Sequence, residues 1–427
     1  MYQNYLISFV GDSSIVVPST AGLREKWIGA MLDQTGKAYA GALRLDFSPG
    51  CVPECVFNAI VDTLIRHPIL AAQFDIEDDE LVGRAPDKTE LRGALWERLN
   101  LRHMGITDEM FLAHRARRAS DSGLRITSVT DDTGIHVWIG FWTYVCDGAS
   151  IDLLIEDIVQ CYCGKPPRIS KSWSEYACME NARISKRVIS LQERLEVYSE
   201  PGPYGLDAIR ETPHGSVGIM QSVRFSSSVL RSVVLAYARA CRVTPFVLLF
   251  SIFQRAVSVV SRVTTVVTGV PFINRKSPDE NVVVGPLSNT VPVTTHHNIP
   301  SESLPGMLNQ LQRDVIRAAA RQDIKAAAFY PDGISPRTVA YELPFPQLFN
   351  AWNSRCDGTR IPLGDTEWVD LQLLPNSTCR AGFEITLDEH SEYISGRIDM
   401  DVDAYGGCVE QVIKQMIGEL ETIQNLS

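Results

Sequence analysis

The apolar residues of this chain recur with two different periods, and the two periods alternate along its whole length. Residues 56–65 place apolar side chains on one face of an amphipathic helix, and the His67-Pro68 pair ends that helix. Residues 135–141 are instead rich in strand-forming side chains and follow a turn signal at 131–134. Such alternation is typical of α/β and α+β proteins.

The length of the chain indicates more than one compact lobe. With 427 residues, of which 45% are hydrophobic, it is too long for a single core and too apolar for disorder. Residues 180–216 are more polar and contain a Pro-Gly-Pro break. We therefore expect an N-terminal lobe over 1–179, an inter-lobe connection over 180–216 and a C-terminal lobe over 217–427.

The charge balance argues against one class of partner. The chain has 40 Lys and Arg against 51 Asp and Glu, a net charge of −11. No global field would attract phosphates, so we expect no nucleic acid partner. The longest apolar stretch, 246–253, is interrupted by Ser251 and is far shorter than the roughly 20 residues that a bilayer-crossing helix needs. No membrane association is expected.

The ten cysteines do not indicate a disulfide scaffold in a chain of this length. Their closest pairs are Cys51/Cys55 and Cys161/Cys163, and neither has a second pair at the spacing of a zinc site. The N-terminus shows no basic leader of the kind that signal peptides carry. These features predict a cytoplasmic protein with reduced thiols and no metal site.

Seven short motifs follow one another along the chain. They are 19–24 (Ser-Thr-Ala-Gly-Leu-Arg), 66–70 (Arg-His-Pro-Ile-Leu), 142–148 (Trp-Thr-Tyr-Val-Cys-Asp-Gly), 269–275 (Gly-Val-Pro-Phe-Ile-Asn-Arg), 285–293 (Gly-Pro-Leu-Ser-Asn-Thr-Val-Pro-Val), 321–323 (Arg-Gln-Asp) and 346–350 (Pro-Gln-Leu-Phe-Asn). Their order is that of the condensation domains of nonribosomal peptide synthetases, and the chain resembles that family over nearly its whole length. The best known motif of the family is H-H-x-x-x-D-G, and residues 142–148 occupy its place.

The resemblance implies an α/β (α+β) fold of two chloramphenicol-acetyltransferase-like lobes, arranged as a V-shaped pseudo-dimer with a central tunnel. It implies that substrates enter the tunnel on acyl or peptidyl carrier proteins, held by a phosphopantetheine arm. No bound cofactor is expected, and the protein is expected to be a monomer.

The chain departs from the family at the position where the chemistry takes place. By the resemblance, Trp142 replaces the first histidine of H-H-x-x-x-D-G, and Thr143 replaces the second, which acts as base or positions the attacking amine. A threonine hydroxyl does not titrate near neutral pH, but it can donate and accept a hydrogen bond. Thr143 is the candidate catalytic residue. Candidate tunnel residues are Trp142, Tyr144, Gly148, Ser288 and Asn289, although Trp142 also fits a core position at a strand end.

The last two residues of H-H-x-x-x-D-G are kept. By the resemblance, Asp147 pairs with Arg275 and supports the loop without taking part in the chemistry. Ser150 is the predicted N-cap of the helix that follows. His136 lies seven positions before Thr143, an odd number, so on a regular strand it would face the opposite side of the sheet.

A basic cluster stands out in this acidic chain. Arg115, Arg117 and Arg118 could receive an acidic carrier protein or a phosphopantetheine phosphate. A solvated helix face is the alternative interpretation.

Two functions fit these motifs. The first is a biosynthetic enzyme of specialised metabolism that acts by positioning, either as an amide- or ester-forming acyltransferase or as a catalyst of an intramolecular cyclisation. The second is a non-catalytic condensation-like module that recruits a partner enzyme or a carrier protein. An acyltransferase that uses free acyl-CoA fits less well, because such enzymes keep a histidine at the position of Thr143.

Overall fold

Two compact units make up the structure, which is a computed structural model. Unit 1 comprises Met1–Arg187, Arg275–Leu287 and Ser354–Asn376, and the remaining segments form unit 2. The units are therefore interleaved along the sequence, while the lobe boundaries expected near 180 and 216 stay a prediction. The structure describes residues 14–33, 36–100, 105–113, 122–168, 171–184, 203–213, 218–297, 304–325, 345–351, 358–375, 380–388 and 391–426.

Unit 1 contains two antiparallel sheets. The larger has the strand order β11-β12-β2-β6-β5, and the smaller has the order β1-β4-β3. Its described elements are β1 (Ser14–Pro18), α1 (Ala21–Leu32), β2 (Ala40–Phe47), α2 (Pro53–Leu64), β3 (Gln73–Glu77), β4 (Glu80–Pro86), α3 (Lys88–Asn100), α4 (Asp108–Ala113), β5 (Arg125–Asp131), β6 (Gly134–Trp142), α5 (Gly148–Tyr162), α6 (Trp173–Ile184), β11 (Arg360–Pro362) and β12 (Trp368–Leu373).

The predicted helix and strand of the N-terminal half are confirmed. Helix α2 buries the expected stripe, including Val56, Ile60 and Leu64, and it packs against α5. Strand β6 buries alternate residues against the same apolar cluster, and a tight turn joins it to β5. Periodicity identified α2 because one of its faces is turned to the core. Strand β6 is buried on both faces, and its run of strand-forming side chains after a turn signal identified it instead.

Unit 2 is built on one six-stranded sheet with the order β7-β14-β13-β10-β8-β9. Strand β10 runs parallel to both neighbours, and the other described pairs are antiparallel. The described elements of unit 2 are β7 (Met220–Leu230), α7 (Arg231–Ala240), α8 (Pro245–Ser261), β8 (Thr265–Phe272), β9 (Asn289–His296), α9 (Leu304–Ala320), β10 (Gln347–Asn350), β13 (Phe383–Leu387), β14 (Tyr393–Asp401), α10 (Val402–Tyr405) and α11 (Val409–Leu426).

Helix α8 is the central core helix of unit 2. Thr244 caps it and Pro245 occupies its first turn, while most of its residues are buried. In the described ranges, no single helix has the length and apolarity to cross a membrane, and only α7 and α8 together, bent by 100°, meet that criterion.

Candidate functional site

The signature segment, residues 142–148, joins β6 to α5 in unit 1. Trp142 is the last residue of β6 and pairs with Ala40 of β2. The Thr143 backbone N–H then donates to the Tyr39 carbonyl at 2.7 Å. Main-chain bonds to the neighbouring strand therefore fix the point where the segment leaves the sheet.

Asp147, and not Ser150 as predicted, is the N-cap of α5. Its Oδ1 accepts hydrogen bonds from the Ser150 N–H at 2.9 Å and from the Ser150 hydroxyl at 2.7 Å. The hydroxyl of Ser150 also lies between the two backbone groups of Gly285, accepting from its N–H at 2.9 Å and lying 2.8 Å from its carbonyl. Both residue types can cap a helix, and here the serine links the helix to a distant loop instead.

Arg275 forms a two-pronged ion pair with Asp147. Nη1 donates to Oδ2 at 2.9 Å and Nη2 donates to Oδ1 at 3.0 Å, and each side chain is 3% exposed. Nη2 also donates to the Ser150 hydroxyl at 3.0 Å and to the Val283 carbonyl at 3.2 Å. Charge-assisted pairs of this geometry are strong and fix direction as well as distance.

The Asp147 carboxylate stays ionised in this setting. Burial by itself would raise the pKa of Asp147, but the charge and hydrogen bonds of Arg275, the charge of Lys26 and the bond from Ser150 outweigh it and lower the pKa. The neighbouring Cys146 thiol is also buried. Burial and the charge of Asp147 raise the pKa of Cys146 well above its usual value, although Arg275 opposes this. Neither group can accept a proton near neutral pH.

Trp142 and Tyr144 belong to the core of unit 1. Their rings stack with centroids 5.7 Å apart and planes 16° apart, and Tyr144 meets the Phe74 ring edge-on at 5.9 Å. Trp142 is 4% exposed and Tyr144 is fully buried. Gly123 lies beneath Trp142, since a Cβ there would be 2.3 Å from Trp142 Cδ1. The packing favours the core interpretation of Trp142, and a place on a tunnel stays a prediction for both rings.

Thr143 is partly exposed as a residue, yet its Oγ1 is buried. Within the described part of the chain, this oxygen has no hydrogen-bond partner. Buried hydroxyls are usually bonded, so an orphan at this position calls for a physical explanation.

The other predicted tunnel residues fall in two places. Gly148 is the first residue of α5, whereas Ser288 and Asn289 belong to unit 2. The Asn289 amide donates to the carbonyls of Gln322 (2.9 Å) and Ile324. It therefore holds the 322–324 loop within unit 2.

Motif residues also meet in unit 2. Asn274, at the end of the fourth motif, has a φ of 49° and donates its N–H to Gln322 Oε1 at 3.0 Å. Residues of three motifs are therefore in contact, because Asn274 (from 269–275) and Asn289 (from 285–293) both donate hydrogen bonds to Gln322 (from 321–323). Arg115, Arg117 and Arg118 lie outside the described residues.

Two supports of the signature segment were missed from the sequence. Lys26 donates through Nζ to the Pro286 carbonyl at 3.1 Å, and the Trp173 ring covers Gly285 so closely that a Cβ would lie 2.3 Å away. Gly285 is the first residue of the 285–293 motif, so the sequence marks this glycine as a position where another group can approach the backbone closely. Lys26 lies two residues after the 19–24 motif. Its partner is a backbone carbonyl, which any residue type provides, so the sequence does not indicate this contact.

His136 does not take part in the signature segment. Its Nδ1 lies 2.6 Å from Asp46 Oδ1 and its Nε2 lies 2.9 Å from Thr133 Oγ1. These contacts join β2, β6 and the turn before β6. Over the described ranges, no three His, Cys, Asp or Glu side chains are grouped so that they could hold a metal ion.

A family model described as Condensation domain matches residues 24–339. Surfactin synthase subunit 1 of Bacillus subtilis (strain 168) is 21% identical over 345 residues, which are 77% of this chain and 9% of the relative. Gramicidin S synthase 2 of Brevibacillus brevis is 24% identical over 363 residues, which are 83% of this chain and 8% of the relative. The chain spans less than a tenth of the length of these curated relatives.

Solved structures share the fold at low identity. The first condensation domain of the calcium-dependent antibiotic synthetase, in complex with a substrate analogue, aligns with a TM-score of 0.71 and 14% identity over 96% of both chains. The condensation domain from the Monacolin K polyketide synthase MokA gives 0.72 and 11% over 96% of this chain and 97% of that one. PapA2 acyl transferase gives 0.71 and 13% over 97% and 98%.

Proposed function

The chain belongs to the condensation domain family, and from this membership we propose that it is a biosynthetic enzyme of specialised metabolism that works by positioning its substrates, without the family histidine. The family assignment made from the seven motifs is confirmed, and so is the chloramphenicol-acetyltransferase-like mixture of helices and sheets. The family is related to the acyl-transfer steps of nonribosomal peptide and polyketide synthesis. The reaction of this chain is our proposal.

One observation carries the proposal: the scaffold of the signature segment is complete although its base is absent. Asp147, Ser150 and Arg275 form a closed network of charge-assisted bonds around the start of α5. Thr143 sits in this scaffold with its backbone bonded to Tyr39. A segment kept this rigid at the position of the family histidine supports a role in holding reactants.

Positioning can supply a large part of the rate. Holding two reactants in attack geometry can lower a barrier by about 7 kcal/mol or more in favourable cases. In acyl transfer, an amine or alcohol adds to a thioester carbonyl, the C–S bond breaks, and the proton of the nucleophile leaves with the thiolate as a thiol. An intramolecular cyclisation needs no proton acceptor at all. Both fit a site in which Thr143 replaces a base.

Substrate delivery on a carrier protein is part of the proposal. A phosphopantetheine arm would carry the acyl group into the tunnel that the family resemblance implies, which Trp142, Tyr144, Gly148, Ser288 and Asn289 would line. Arg115, Arg117 and Arg118 would receive the acidic carrier. A monomeric, cytoplasmic protein without a bound cofactor stays our expectation.

A non-catalytic recruiting module is the second candidate. The buried stack of Trp142 on Tyr144 favours it, because Trp142 fills the position of the first family histidine with a core ring that cannot titrate. Under this alternative the chain forms a stable complex with a carrier protein or a tailoring enzyme and converts nothing.

The test uses carrier proteins loaded with acyl thioesters, supplied with and without amine or alcohol nucleophiles, and product mass as the readout. We expect a product that depends on the chain and carries the mass of an amide, an ester or a cyclised acyl group. Thr143→His restores the family residue and should keep or raise an acyl-transfer rate. The recruiting module would be favoured by two results together. One is a tight complex with the loaded carrier, detected by native mass spectrometry, and the other is the absence of product from both the unmodified chain and Thr143→His.

A further inference from the structure

We infer that the Thr143 hydroxyl donates a hydrogen bond to a substrate carbonyl oxygen that gains negative charge in the transition state. This inference deepens the proposed function and rests on it. It gives Thr143 a chemical role that differs from that of a base, and it defines the substrate group beside it. The ligand is a thioester carbonyl in acyl transfer, or a conjugated carbonyl in a cyclisation.

The first support is the state of the hydroxyl. Thr143 Oγ1 is buried and has no partner among the described residues, while the backbone of the same residue is bonded to Tyr39. A buried hydroxyl without a partner costs stability, so its presence needs a physical explanation. Because Thr143 is partly exposed as a residue, rotation about its Cα–Cβ bond can bring the hydroxyl to a ligand.

The second support is the rigidity around this residue. The Trp142 and Tyr144 side chains on either side of Thr143 are buried and stacked on each other. Asp147, which lies four residues after Thr143, forms an ion pair with Arg275. These contacts fix the backbone that carries the Thr143 hydroxyl, so that only its side-chain rotation is needed to reach a substrate. A donor on a fixed backbone stabilises developing charge more than one on a mobile segment does.

The third support is the chemistry of the neighbouring groups. Asp147 is an ionised partner of Arg275, and the buried Cys146 thiol stays protonated. With no proton acceptor in the signature segment, these residues can assist by stabilising negative charge. When a nucleophile adds to a thioester, the carbonyl oxygen becomes an oxyanion, and collapse of the intermediate restores the carbonyl and expels the thiolate. A hydroxyl donor lowers the energy of that oxyanion.

Thr127 provides a matched control. It lies on β5 opposite Trp138, it is fully buried, and its Oγ1 likewise has no partner within the described ranges. It is outside the signature segment. Replacing either threonine by valine removes an orphan hydroxyl and keeps the shape of the side chain.

The experiment compares Thr143→Val, Thr143→Ser and Thr127→Val in the full chain, with kcat, KM and melting temperature as readouts. Both valine variants should melt at or above the temperature of the unmodified protein. Thr143→Val should lower kcat by about 10²-fold, as loss of one oxyanion donor does, with little change in KM. Thr143→Ser should keep most of kcat, and Thr127→Val should leave kcat unchanged.

Two results would overturn the inference while leaving the proposed function in place. One is a folded Thr143→Val protein with the kcat of the unmodified chain. The other is a Thr143→Ser protein as slow as Thr143→Val, which would mean that shape and not the hydroxyl matters. An unmodified chain that turns over no carrier-bound thioester would instead overturn the proposed function, and the inference with it.

Discussion

Asp147 and Arg275 lie 128 positions apart in the sequence and form a two-pronged ion pair whose side chains are each 3% exposed. The pair also holds Ser150 and the Val283 carbonyl, so it joins the start of α5 to the 275–287 segment of unit 1. Loss of this ion pair should therefore lower the stability of unit 1 as a whole.

Removing one partner of this pair should strongly destabilise the protein. Arg275→Met leaves the Asp147 carboxylate buried without its counter-charge, and breaking a buried pair in this way costs about 3–5 kcal/mol. We expect the free energy of unfolding, measured by urea denaturation, to fall by that amount. Arg317→Met is the control, because Arg317 pairs with Asp314 while 65% exposed, and it should change little. Equal midpoints for the two variants would contradict a structural role for Arg275.

The hydroxyl of Ser150 should matter more than that of another buried serine. Ser150→Ala removes the bonds to Asp147 and Arg275 and leaves the Gly285 N–H without its Ser150 partner, while the Gly285 carbonyl keeps the bond from the Leu287 N–H. Unsatisfied buried groups cost about 1–3 kcal/mol each, so we expect a clear drop in melting temperature. Ser251→Ala provides the comparison, since among the residues that the structure describes that hydroxyl bonds only the Leu248 carbonyl of its own helix. A larger loss for Ser251→Ala would contradict this role of Ser150.

The packing of Trp142 should depend on Gly123. Gly123→Ala places a methyl 2.3 Å from Trp142 Cδ1, and overpacking of this kind costs about 1–3 kcal/mol. Trp142→Ala leaves a cavity and destabilises by itself. The double variant should lose less than the sum of the two, because removal of the ring also removes Cγ and Cδ1, the two side-chain atoms that the new methyl would meet.

Gly93→Ala is the control for the glycine effect. Gly93 lies inside α3, and nothing is within 4 Å of a Cβ added there. Because alanine has a higher helix propensity than glycine, Gly93→Ala should stabilise the protein by about 0.5–1 kcal/mol. Strict additivity of Gly123→Ala and Trp142→Ala in chemical denaturation would show that the two side chains do not contact each other.

His67 should make the protein less stable in acid. Burial, with the nearby charges of Arg66 and Arg168, lowers the pKa of His67 to about 3 from an ordinary value of 6.5. The unfolded chain then binds a proton that the folded chain rejects between these two values. His67 therefore stabilises the fold above pH 6.5, and this contribution is lost as the pH falls towards 3, by up to about 1.4 kcal/mol per pH unit.

The check is the free energy of unfolding measured from pH 7.5 to pH 4.5. Below pH 6.5, His67→Phe should reduce the slope of the free energy of unfolding against pH, by an amount that corresponds to the uptake of about one proton on unfolding. His297, whose burial lowers its pKa to about 4, acts in the same direction and should keep part of the slope. An unchanged slope in His67→Phe would show that His67 does not titrate as its burial indicates.

Local features of the fold could be predicted from the sequence. The stripe of α2 arises from one buried face, and β6 was predicted from its run of strand-forming side chains. The observed limits of both elements lie within three residues of the predicted ones. The start of α5 could not be predicted, because Asp147 and Ser150 are both suitable caps. Gly285, which lies 135 positions away from Ser150, engages its hydroxyl and decides between them.

The candidate site was predictable where a motif encodes it. The order of the motifs led to Asp147 and Arg275, but the packing of Trp142 depends on Gly123, a residue outside every motif. Lys26 was missed because its partner is the carbonyl of Pro286. Side chains that bond to backbone groups leave the partner free to be any residue, so no pattern marks them.

The interleaving of the two units has a consequence for synthesis of the chain. Asp147 leaves the ribosome 128 residues before Arg275, which is about 6–26 s at 5–20 residues per second. Strand β12, which pairs with β2 in unit 1, comes later still. Unit 1 therefore cannot reach its final form until after most of unit 2 has been made. A chain that stops at residue 217 lacks the counter-charge of Asp147 and the strand that pairs with β2, so the β2 edge of the sheet is open at that stage of synthesis.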